Sequence, residues 1–142
     1  MSATDLLERL ILHCRTALPE GTVILQPGAS LHQSPTVAWA EFWIDRISTS
    51  ISRRSSPQES EFSLTINCFA RPPQSASAAA QLANTLSSCL RQSDIPLHAE
   101  VPSGEVLRLR EPELRDVSRP ATAKSAGLWH WIVSVKGTTA SK

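Results

Sequence analysis

Glu61-Phe62-Ser63-Leu64-Thr65-Ile66-Asn67-Cys68-Phe69-Ala70-Arg71 alternates in character along its whole length. Phe62, Leu64, Ile66, Cys68 and Ala70 point one way, and Ser63, Thr65, Asn67, Phe69 and Arg71 point the other. One face is apolar and the other mostly polar. That is the pattern of a strand buried on one side, and so of an antiparallel sheet. Pro72 and Pro73 end it, because proline has no N–H to extend the ladder.

A second period-two stretch lies upstream, from Val37 to Ile47. Ala38, Ala40, Phe42 and Ile44 form a core face, while Trp39, Glu41, Trp43 and Asp45 form the other. Ile47 and Ile51 extend the strand past Arg46. The serine-rich stretch Ser48–Ser60, with Arg53 and Arg54, reads as the long connection of a hairpin spanning residues 37–71. Before it, Thr22-Val23-Ile24-Leu25 is an optional short strand, which the nearby prolines confine to an edge.

Helical spacing flanks this hairpin. Leu6, Leu7, Leu10, Ile11, Cys14 and Leu18 predict a helix over about residues 3–17, with Ser2 and Asp5 as a capping pair and Pro19 and Gly21 as stops. Ala79, Leu82, Ala83, Leu86, Cys89 and Leu90 predict a second over 75–92. Gly104–Arg110 reads as an edge strand, 111–126 as loop, and Leu128–Lys136 as a final strand. In that strand Trp129, Trp131, Val133 and Val135 face the helices, and Leu128, His130, Ile132, Ser134 and Lys136 face away. A frayed, flexible tail is expected from about residue 137. The predicted fold is a single α+β domain: a two-layer sandwich with a mixed or largely antiparallel sheet and two helices packed on one face.

Composition limits the possible roles. The chain has 142 residues, net charge +1 from 14 basic and 13 acidic side chains, and 41% hydrophobic residues. At this length roughly 68–70% of the unfolded surface can be buried, so neither disulfide nor metal is needed for folding. The near-neutral balance gives no general attraction to nucleic acid or acidic lipid. No apolar run is long enough for a membrane span, and the N-terminus does not read as a signal peptide. Cys14, Cys68 and Cys89 are widely spaced on predicted apolar faces, and are expected to be buried and inert.

Motifs for chemistry are not found. His13, His32, His98 and His130 form no HxH, HxxH or HExxH unit, and are expected to be surface or hydrogen-bonded histidines, with no metal. There is no phosphate-cradling glycine loop and no GxSxG elbow. Glu41 and Asp45 lie about 13 Å apart along a strand, too far for a paired-carboxylate mechanism. The expectation is a protein that is not an enzyme and takes no cofactor. A small cytoplasmic enzyme of unrecognised type is the distant alternative. The outward sheet face, with Trp39, Trp43, Phe69 and Ile132, is more aromatic surface than a lone domain leaves wet, and fits a neighbouring subunit.

The order of elements resembles the small tail-terminator or tail-completion proteins of long-tailed bacteriophages and related tail-like particles. The resemblance runs through the opening helix, Trp39-Ala40-Glu41-Phe42-Trp43-Ile44, residues 62–71, Ala79-Ala80-Gln81-Leu82-Ala83-Asn84, and Trp129-His130-Trp131-Ile132-Val133-Ser134-Val135. It implies a structural virion protein assembled in the host cytoplasm and sited in the tail or neck. Such a protein forms a homo-oligomeric ring, hexameric by analogy, on the head-proximal end of the tail tube. It stops tube polymerisation and meets the tail tube protein and a head–tail connector protein. By strand parity, Trp39, Glu41, Trp43 and Phe69 are the candidate protein-interface residues. By loop position, Arg53 and Arg54 are candidates for a lumen where genomic DNA passes. Another head–tail connector or neck protein is the nearest alternative.

Overall fold

A computed structural model of the chain describes residues 3–20, 22–26, 38–50, 59–71, 76–91, 94–96, 105–119 and 127–141. Among these residues two helices and seven strands follow one another: α1 (Ala3–Arg15), β1 (Val23–Leu25), β2 (Trp39–Ser50), β3 (Glu59–Ala70), α2 (Ala76–Leu90), β4 (Asp94–Pro96), β5 (Glu105–Leu109), β6 (Glu113–Asp116) and β7 (Trp129–Ser141). The sheet order is β1-β2-β3-β7-β5-β4, with β6 also on β7. Among the described strands β1 and β2 run parallel and the other pairings are antiparallel. The fold is therefore α+β, with a mixed but largely antiparallel open sheet and two helices on one face, as the alternation in β3 predicts.

The core lies between helices and sheet. Leu6, Leu7, Leu10, Ile11 and Cys14 of α1, which packs on β2, and Leu82, Ala83, Leu86 and Leu90 of α2, which packs on β3 and β7, share one buried cluster with Ala40, Phe42, Ile66, Val133 and Val135. The register places Phe42 opposite Ile66 and Ile66 opposite Val133, so the largest buried side chains form a row across three strands. Burying each such side chain contributes roughly 1.5–3 kcal/mol before ordering costs are subtracted. Trp131 packs against the edge of this core and is half-buried.

Three local features differ from the period-two reading. Between Ile44 and Arg46 the β2–β3 register shifts by one residue, a bulge centred on Asp45. Past it Arg46 pairs with Ser63 and turns to the outer face, while Ile47 opposite Phe62 returns to the core. Residues 113–116, expected as loop, form β6. All four side chains are exposed, so the strand is held by backbone pairing to β7 and not by a buried stripe. The expected flexible tail is instead the second half of β7, paired with β3 on one side and β5 on the other through Ser141.

Two glycines shape β7. Gly127, at φ 80°, takes a left-handed conformation just before the strand. Gly137 sits on the buried face opposite Phe62 and Leu109. A methyl group there would lie 2.6 Å from Phe62 Cζ, 2.8 Å from the Arg108 carbonyl oxygen and 2.9 Å from Leu109 Cδ2. The Phe62 ring thus rests directly on β7 backbone.

Candidate functional site

The helix-free face of the sheet carries the candidate residues, in rows set by the register. At one end Trp39 lies opposite Phe69, and Phe69 opposite His130. The next row is Glu41, Asn67, Ile132 and Arg115, and the one after it Trp43, Thr65, Ser134 and Glu113. Beyond the bulge come Arg46, Ser63 and Lys136, with Arg110 joined through its N–H to the Lys136 carbonyl, 2.8 Å.

The aromatic end is a continuous stack. The Trp39 and Phe69 rings lie 5.2 Å apart at 26°, and the Phe69 and His130 rings 4.3 Å apart at 28°. The Arg71 guanidinium lies 5.5 Å from the Trp39 ring centroid, a cation–π contact. The stack has a polar margin: His130 Nε2 is 2.9 Å from Asn67 Oδ1, and the His130 backbone N–H donates to Ser118 Oγ at 3.0 Å. Burial pushes the His130 imidazole below its ordinary value. Arg119 adds to that shift, while Glu41 and Asp116 oppose it. The Ser118 hydroxyl and amide donate to Asp116, holding its carboxyl below the usual carboxylate range, with His130 adding to the effect.

The expected interface residues do not behave as one set. Trp39 is only 3% exposed, and its indole N–H has no hydrogen-bond partner among the described residues. It therefore offers almost no surface, and serves the stack instead of a contact. Glu41 and Phe69 are half-buried. Trp43 is 43% exposed and stands in the middle of the open face, beside Asp45, whose carboxylate accepts the Thr65 hydroxyl. Arg53 and Arg54 lie outside the described residues, as do His32 and His98.

The other end of the same face is basic. Arg46, Lys136 and Arg110 are exposed and, among the described residues, make no ion pair. Together with Ser48, Glu61, Ser63 and Thr138 they line a shallow open cleft of about 180 Å³. Sequence parity missed this row because uninterrupted alternation puts Arg46 on the core side. The bulge is the cause, and the switch from Ile44 to Ile47 as the apolar position is its only trace in the sequence. Among the described residues no group of histidine, cysteine, aspartate and glutamate side chains is arranged to hold a metal.

No family model matches the sequence, and no curated protein matches it. A solved structure, under a name that states no activity, aligns with all of this chain and 98% of its own length at TM-score 0.67 and 11% identity. The likeness is one of fold.

Proposed function

We propose that the chain is a ring-forming structural subunit of a phage-type tail, seated on the head-proximal end of the tail tube. There it halts tube polymerisation and offers its free side to a head–tail connector. It performs no catalysis in this role and takes no cofactor. The observation that supports this reading is the open sheet face with half-exposed Trp43 at its centre, on a domain whose other sheet face is sealed by its own helices.

Tryptophan at the centre of a surface is the residue most enriched at strong protein contacts. A closed ring built head to tail needs two unlike patches on each subunit. Trp43 on the sheet layer and Leu12, exposed on α1 of the helix layer, provide apolar spots on opposite layers. A ring that matches the last tube ring below but presents a different surface above leaves no site for the next tube subunit, so growth stops by geometry alone.

The test is negative-stain imaging of tail tubes mixed with the purified protein, alongside light scattering of the protein by itself. Capped tube ends of uniform length are the expected result. Trp43→Glu, which places a charge in the contact, is expected to leave the domain folded and the ends bare. Tubes that stay uncapped and keep growing in the presence of the wild-type protein would overturn the proposal; binding to a connector without binding to tubes would move the protein to the other side of the neck.

A further inference from the structure

The contact between α1 and α2 holds chemistry that tail capping does not use. Cys14 on α1 is fully buried, Cys89 on α2 is half-buried, and both are reduced. Their side chains interact across the two helices, each acting on the other's acidity. Flanking contacts fix the helices at this point: His13 Nε2 is 3.3 Å from the Cys89 carbonyl oxygen, and Cys89 Sγ is 3.7 Å from the His13 carbonyl oxygen. The Cys89 sulfur thus lies against α1 at the residue next to Cys14, a placement that suits a disulfide between the two helices.

The two thiols are unequal in a useful way. Cys89 accepts the Cys14 S–H, which pushes it below the ordinary thiol value; burial opposes this and His13 adds to it. Cys14, as the donor and the more buried partner, is pushed up. The thiolate is the nucleophilic form, so the half-exposed member of the pair is also the one poised to react. Cys68, buried on β3, is pushed up to about 12 by burial alone and is a built-in control.

We propose that Cys89 and Cys14 form a peroxide-reactive dithiol site, with Cys89 as the attacking thiol and Cys14 as the resolving one. The Cys89 thiolate attacks one oxygen of hydrogen peroxide. The S–O bond forms, the O–O bond breaks, and the departing hydroxide takes up a proton as water. The Cys14 sulfur then attacks the Cys89 sulfenic sulfur. The S–S bond forms, the S–O bond breaks, and the hydroxyl leaves with the Cys14 proton as a second water. Two thiols lose two electrons, peroxide gains them, and α1 is stapled to α2. In a reducing compartment the bond is reversible by thiol exchange.

The experiment treats the reduced full chain with stoichiometric hydrogen peroxide, followed by thiol counting in denaturant and peptide mapping without reductant. The chain has 3 cysteines, and the free count is expected to fall by two with a Cys14–Cys89 link and Cys68 unmodified. Cys14→Ser is expected to stop at a sulfenic acid on Cys89, trapped by dimedone. In Cys14→Ala, which removes the hydrogen-bond donor that serine would keep, Cys89 is expected to alkylate about fivefold more slowly at neutral pH. A link through Cys68, a disulfide between chains, or Cys14 left free while Cys89 is oxidised to a sulfinic acid would overturn the proposal. The wild-type map decides this even if the variant fails to fold.

Discussion

The two faces of the β2–β3–β7 sheet share one backbone and one register but are built on opposite terms. On the helix side Phe42, Ile66 and Val133 are sealed completely, and α1 and α2 complete the packing. On the open side the same three strands show an aromatic stack at one end, Trp43 in the middle and a basic row beyond the bulge. Stability is thus concentrated on one face, and the side chains free to meet another molecule on the other. Neighbours in sequence, such as Phe42 and Trp43, fall on different sides of that division.

Substitution of that pair gives the largest test. Phe42→Ala is expected to cost about 3–5 kcal/mol in urea unfolding, since it opens a cavity in the three-strand row. Trp43→Ala is expected to cost less than about 1 kcal/mol. A Trp43 cost equal to that of Phe42 would erase the distinction between the faces.

Gly137→Ala comes next. The added methyl group collides with Phe62, the Arg108 carbonyl and Leu109, and is expected to cost about 1–3 kcal/mol. Combining it with Phe62→Leu sharpens the account: the double variant should recover part of the loss, measured as a coupling above about 0.5 kcal/mol. Additive costs would mean that the ring is not what the methyl group meets.

The exposed Arg91–Glu111 pair, 3.0 Å long, links the end of α2 to the segment between β5 and β6. Removing it with Glu111→Gln should change stability by about 0.2–1 kcal/mol, with less effect in high salt. A larger loss would mean that the segment depends on this link more than on its pairing with β7.

The smallest expected effect is a pH slope. His130 has a native value below its unfolded one, so the folded chain binds fewer protons. Its contribution is complete above about pH 6.5, the ordinary histidine value, and fades as pH falls toward and through the native value. His130→Gln should flatten the stability profile in that acidic range. An unchanged profile would mean the stack does not disfavour the imidazolium.

How far these contrasts are legible in sequence depends on what carries each one. The β3 face is fully legible, because Phe62, Leu64, Ile66, Cys68 and Ala70 are apolar at every second position. The placement of Trp39 on the outer side is also legible, but its burial is not. Phe69 and His130 come from two other strands, and only register brings them together. β6 is hidden because Glu113, Leu114, Arg115 and Asp116 are all exposed and leave no apolar period. The end of β7 is hidden for a related reason: Gly137, Thr138, Thr139, Ala140 and Ser141 are small or polar, and pairing with β5, joined through Thr139 by pairing with β3, makes them a strand. The cysteine pair escapes because spacing along each helix says nothing of how two helices are turned toward each other.

The position of β7 has a consequence for how the molecule is made. It follows the other described strands in sequence, yet it lies between β3 and β5. During synthesis the hairpin and both helices emerge while the slot they flank is still empty. β3 then presents an unpaired edge, the kind of template that recruits strands from other chains. Closing the sheet joins segments far apart in sequence, which places the domain among slower folders for its size. Insertion of this one strand completes the sheet on both sides in a single event.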